Sequence, residues 1–128
     1  MWLGINKRKF PRANYRCLIT LGRKGSPKHF LTHTENIGVG GISVALDEGL
    51  AVFTEVSLEL ILKDNNLPVK CKGNIVWVVR RQTIQGGVPV IKFDTGIEFV
   101  NIKDTETQRI EKVVEGIIKK VDKNKQGR

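Results

Sequence analysis

Apolar and polar residues alternate along most of this chain with the two-residue period of strands, and the period lengthens only near the end. Tyr15, Cys17, Ile19 and Leu21 take one side while Arg16 and Thr20 take the other, which predicts a half-buried strand. Residues 22–28, with Gly25, Ser26 and Pro27, have turn composition, and residues 30–34 resume the pattern as the second arm of a hairpin. A third strand follows where Ile42, Val44 and Leu46 alternate with Ser43 and Ala45, and a fourth where Val56, Leu58, Leu60 and Leu62 alternate with Ser57 and Glu59. After the turn-forming residues 63–68, Val69, Cys71, Ile75, Trp77 and Val79 fall on one face opposite Lys70, Lys72 and Asn74. This fifth strand is expected to pair with the fourth and to place Trp77 in the core. Gly86-Gly87 breaks the chain, and residues 88–100 form the last strand, with Ile97 and Phe99 inward past Glu98 and with Gly96 marking a bulge or a close backbone approach.

The period then changes. Ile110, Val113, Val114, Ile117, Ile118 and Val121 recur at the spacing of one helix face. Thr105-Glu106-Thr107-Gln108 offers a capping box for its start, and the basic residues at its far end suit the helix dipole. Gly116, which costs about 1 kcal/mol inside a helix, is read as a close packing contact with the sheet. Six short strands and one terminal helix predict a mainly β protein, an antiparallel barrel or sandwich with the helix over an end or an open seam. The expected organisation is a flexible basic arm over 1–13, the folded unit over 14–121 and a polar tail over 122–128.

A length of 128 residues suits one domain. The net charge of +9, from 22 basic and 13 acidic residues, is concentrated near the two ends and favours an anionic partner: nucleotide, nucleic acid or acidic membrane surface. No apolar run approaches the roughly 20 residues that span a bilayer, and the apolar start over 1–5 is too short for a signal peptide, so a cytoplasmic protein is expected. Cys17 and Cys71 fall at isolated apolar positions and read as reduced core residues. His29 and His33 lack a third metal ligand, and no nucleophile–base constellation or carboxylate pair suggests catalysis, so neither a metal, a cofactor nor an enzyme is expected.

Two stretches remain that the strand pattern does not absorb. In Lys7-Arg8-Lys9-Phe10-Pro11-Arg12, two guanidinium forks can each grip a phosphate or a guanine edge with paired hydrogen bonds, and Pro11 biases Phe10 away from the α region. The same residues also read, by themselves, as a solvated basic arm. Asn36-Ile37-Gly38-Val39-Gly40-Gly41 lacks the Lys-Ser/Thr pair of a phosphate loop and precedes a strand, not a helix. It reads as a hairpin turn or bulge with glycines at positive φ, or as a place where backbone approaches a ligand and Asn36 meets a base edge.

Taken together, these stretches resemble the PilZ domain family, receptors for the bacterial second messenger cyclic di-GMP, whose signature is Arg-x-x-x-Arg followed one hairpin later by Asp/Asn-x-Ser-x-x-Gly. Arg8 and Arg12, with Lys7 ahead of them, match the first half; Asn36 and Gly41 match the second, with Gly38 where the family usually has serine. Gly73-Asn74-Ile75-Val76-Trp77-Val78, Gly96-Ile97-Glu98-Phe99 and the closing helix extend the likeness over nearly the whole chain. The resemblance implies a six-stranded antiparallel β-barrel with a C-terminal helix, and a non-catalytic cyclic di-GMP receptor. In it Arg8 and Arg12 hold guanine edges and phosphates from the arm, Asn36 bonds a guanine from the barrel, and an unidentified downstream protein reads the outcome. Two other readings are a degenerate adaptor that binds protein without nucleotide, supported by Gly38, and a small basic barrel for single-stranded nucleic acid, which the scarcity of aromatics opposes.

Overall fold

A computed structural model describes residues 12–64 and 66–126 of the chain. Among them are the strands β1 (Arg12–Asn14), β2 (Leu18–Arg23), β3 (His29–Gly38), β4 (Gly41–Leu46), β5 (Glu55–Ile61), β6 (Val69–Gln85) and β7 (Val88–Val100), followed by the helix α1 (Asp104–Gln126). Every pairing is antiparallel. Around the ring the order is β3, β2, β5, β6, β7, β4 and back to β3, a closed six-stranded barrel with β1 outside it, paired to β3. Ile19, Leu21, Ile42, Val44, Leu60, Ile75 and Ile97 fill the barrel with essentially no solvent exposure, as their alternation requires. Each such aliphatic contributes roughly 1.5–3 kcal/mol when fully buried.

β1 and β2 are two halves of one line along β3, separated at residues 15–17, where the ladder is interrupted. Buried Thr34 bridges the gap. Its hydroxyl donates to the Tyr15 carbonyl (2.6 Å) and accepts from the Cys17 N–H (3.0 Å), while its own N–H donates to the Cys17 carbonyl (2.9 Å). The backbone groups freed by the break are thereby satisfied in the interior, where an unpaired one would cost about 1–3 kcal/mol.

Two bulges change the phase of the alternation. Between Thr34 and Asn36 the β3–β4 register shifts, so that Thr34 and Ile37 both face the core and Asn36 does not. Between Ile75 and Trp77 the β6–β7 register shifts as well: Ile75 still faces inward opposite Ile97, but Trp77 comes to lie opposite Gly96 and is 42% exposed. The inward side then passes to Val78 opposite buried Thr95. A strictly alternating reading, which places Trp77 and Val79 in the core, is therefore wrong from Val76 onward, because one extra residue exchanges the two faces of a strand. Phe99, beyond the opposite bulge position, is buried as expected.

The helix lays Ile110 and Val114 into the core cluster, with Val113, Ile117 and Ile118 partly buried against it, and packs on β1 and β3. It begins at Asp104, ahead of the Thr105 cap suggested by the sequence, with Asp104 and Glu106 in the first turn, where the helix dipole favours negative charge. Its backbone stays helical through Gln126, past the end of the apolar stripe. The strand boundary at the other end also moves: Arg12 and Ala13, placed in the arm by the sequence, belong to β1.

Gly116 corrects a further expectation. A Cβ built there meets nothing within 4 Å, so close packing does not explain the glycine. Gly116→Ala should raise unfolding free energy by about 1 kcal/mol through backbone entropy alone, measurable by urea denaturation; unchanged or lower stability would contradict this.

The helix is fastened to the β5–β6 turn by Arg109. Its Nε and Nη2 donate to both Asp64 carboxylate oxygens at 3.0 Å each, and Nη1 donates to Glu106 at 3.1 Å. The guanidinium holds the Asp64 carboxyl below its ordinary range. An unfolded chain thus binds the more protons in acid. The stabilisation is complete above the unfolded value of about 3.9 and is lost as pH falls through the lower folded one. Arg109→Met should cost roughly 1.5–3 kcal/mol at neutral pH. The difference in melting temperature from the parent should shrink below about pH 4; a pH-independent difference would assign the effect to packing.

Candidate functional site

The register of β1 on β3 brings the two signature stretches together. Arg12 lies opposite Gly38, Ala13 opposite Ile37 and Asn14 opposite Asn36. Lys7 and Arg8 lie outside the described residues. The stretch holds both features that the sequence suggests as alternatives, a bulge between Thr34 and Asn36 and a hairpin turn confined to Val39-Gly40; Asn36 and Gly38 themselves remain in β3, and Gly41 opens β4. Positive φ is not what these glycines supply, since the positive-φ glycines among the described residues are Gly25, Gly86 and Gly87. A Cβ at Gly41 would collide with the Ile97 carbonyl, so this glycine lets β4 approach β7.

Two cross-strand rows follow from the pairings. The first runs Arg12, Gly38, Gly41, Glu98 and Asn74; its two adjoining glycines leave no side chain between Arg12 and Glu98. The second runs Asn14, Asn36, Ser43, Gly96 and Trp77. Ala13 and Ile37, one step along from both rows, are in the core, so Asn14 and Asn36 stand on the outer side of the barrel wall. At the far end the Trp77 indole lies directly across Gly96, where any Cβ would occupy the ring's place. The bulge at Val76 and the missing side chain at Gly96 together hold a half-exposed aromatic flat on the sheet. The outer surface thus offers amides able to meet a base edge, with a π-face in the same row, while Ser43 between them is buried.

Next to the rows, an open depression of about 470 Å³ is bordered by Asn14, Arg16, His33, Glu35 and Lys92. Glu35 is the bulge residue beside Asn36. Burial, then the neighbouring Asp94 carboxylate, pushes its pKa up, while Arg81 opposes the rise. Arg81 grips Asp94 with two bonds of 2.9 and 3.0 Å and reaches Glu35 at 3.9 Å, which ties the bulge to β6 and β7. Both cysteines are structural in setting: burial raises the Cys17 thiol and pushes that of Cys71 up to about 11. Among the described residues no group of three or more His, Cys, Asp or Glu side chains could hold a metal ion, and no helix is long and apolar enough to cross a membrane.

Sequence reasoning missed Asn14 as a member of this surface and assigned Trp77 to the core. For Trp77 a signal existed in Gly96, the glycine that makes room for the ring. For Asn14 none did, because strand register is not written locally.

No match emerged among curated proteins. Solved structures with the same fold include the PilZ domain with c-di-GMP of YcgR from Escherichia coli, with a TM-score of 0.72 at 10% identity over 94% of this chain and 98% of that one. MrkH of K. pneumonia in its apo state aligns with a TM-score of 0.74 at 15% identity over 91% and 53% of the two chains. The inhibitor of motility MotI/DgrA of Bacillus subtilis gives 0.67 at 16% identity over 89% and 50%. The chain thus spans nearly all of the isolated YcgR domain and about half of the two longer proteins. The family model for the PilZ domain matches residues 6–116, which include both signature stretches, the barrel and most of the helix, and the chain belongs to the PilZ domain family.

Proposed function

We propose that this protein is a non-catalytic cyclic di-GMP receptor, in which Arg8 and Arg12 hold the nucleotide from the N-terminal arm against the outer wall of the barrel. The observation that carries this reading is the β1–β3 register, which sets Arg12 opposite Gly38 beside the row of Asn14, Asn36, Ser43 and Trp77. Family membership and the fold shared with the c-di-GMP-bound YcgR domain support a receptor-type domain. Guanidinium forks suit the phosphates and the O6/N7 edge of guanine, the amides of Asn36 and Asn14 suit a base edge, and the Trp77 indole suits the π-face of a purine. Lys7 adds charge at the arm, and Gly41 keeps β4 close enough to β7 to hold the rows in line.

Binding orders the arm in this reading, and the ordered arm presents a surface that a partner protein reads. Amide exchange over residues 2–11 should be fast in the free protein and slowed when cyclic di-GMP is added, while titration calorimetry reports binding itself. Equal protection with and without nucleotide, alongside a normal binding isotherm, would remove ordering from the mechanism and leave the receptor. The adaptor reading, favoured by Gly38, requires that neither measurement respond.

A further inference from the structure

β6 and β7 continue beyond the barrel as a two-stranded ribbon. On the β5 side, strand pairing with β6 ends at Asn74, and the last contacts are the Phe53 N–H to the Ile75 carbonyl (2.7 Å) and the Ile75 N–H to the Thr54 carbonyl (3.0 Å). On the β4 side, pairing with β7 ends at Phe93. From Trp77 to Gln85, then, β6 has β7 on one side and, among the described residues, no strand on the other. An open edge of this length is a template for another extended chain.

The two edges of the ribbon are not equivalent. That of β7 is short and carries Pro89, which has no N–H to donate and blunts it. That of β6 is longer, free of proline and rich in strand formers: Val78, Val79, Thr83 and Ile84. Val79 and Ile84 are exposed, the latter 64%, and the line of the edge begins beside Phe53, 84% exposed and held at a φ of 74°. An incoming strand would continue the course of β5 and meet this phenyl ring at its end.

Charge decides the occupant. Over residues 77–85, β6 carries Arg80 and Arg81 and no acidic residue. Arg81 is engaged by Asp94 and Glu35, whereas exposed Arg80 has no carboxylate partner among the described residues. A second copy adding through the same edge would bring one all-cationic strand against another, on chains of net charge +9. We infer that the free edge of β6, residues 77–85, is a strand-addition site for an extended acidic segment of a partner protein, with main-chain bonds supplying affinity and Arg80 supplying selectivity.

The test uses the full chain labelled with 15N and a short peptide alternating glutamate with valine, compared with its lysine counterpart and with the glutamate peptide N-methylated at alternate amides. The acidic peptide should shift and protect amides within 77–85, and both control peptides should bind at least about tenfold more weakly. Arg80→Glu should reverse the preference between glutamate and lysine. Absence of shifts in 77–85 with millimolar acidic peptide would overturn the inference. So would equal binding of the N-methylated peptide, which would leave charge attraction without strand addition. A protein that is dimeric by light scattering, with these amides already protected, would show that a second copy holds the edge.

Discussion

Arg12→Ala and Arg8→Ala are each expected to abolish measurable cyclic di-GMP binding, whereas Gly38→Ser should leave it unchanged or tighten it by up to about tenfold. The asymmetry follows from bond type. Charge-assisted paired bonds from a guanidinium are roughly twice as strong as neutral ones, and no other described residue on either row is basic. A serine hydroxyl at position 38 adds one neutral hydrogen bond, worth roughly 0.5–1.5 kcal/mol. The backbone there is no obstacle: Gly38 sits in the regular ladder of β3 opposite Arg12 and is not among the positive-φ glycines. Serine can adopt extended backbone without strain. Calorimetric titration of the parent and three variants separates the readings. Binding by Gly38→Ser alone would mark the parent as a degenerate adaptor. Binding by neither form, with both folded, would end the receptor reading.

Phe99→Ala should destabilise the protein by roughly 3–5 kcal/mol. Trp77→Ala should cost far less stability and instead weaken nucleotide binding by roughly 1–3 kcal/mol, the value of one base stacked on an aromatic ring. Phe99 is 9% exposed and belongs to the core cluster, so its removal leaves a cavity that the closed barrel cannot easily collapse. Trp77 lies on the opposite surface of the sheet, across Gly96, and its loss opens a solvent-filled gap. Urea denaturation and calorimetry on the same variants test the contrast. Equal destabilisation by the two would make Trp77 a structural residue, and undiminished binding by Trp77→Ala would remove stacking from the site. Gly96→Ala serves as the control, since its methyl must displace the indole without touching the core.

The period of two, the turn residues and the late change to a helical period determined from sequence alone that this is a mainly β chain of about six strands, barrel or sandwich, with a terminal amphipathic helix. The reason is that which side chains must be buried along one strand is a local property, set by pleat and by hydrophobicity. Arg8, Arg12, Asn36 and Gly41 were legible as residue types suited to an anionic or base-bearing ligand, and their spacing joined them into one site through a resemblance. Tertiary structure decided that Arg12 stands opposite Gly38 and Asn14 opposite Asn36, because register is a choice between partners far apart in the chain. It also decided the fate of Trp77. An extra residue at Val76 reverses the faces of β6, and whether a strand accommodates it depends on the neighbour, here a glycine at position 96 whose bare backbone gives the indole a place to lie.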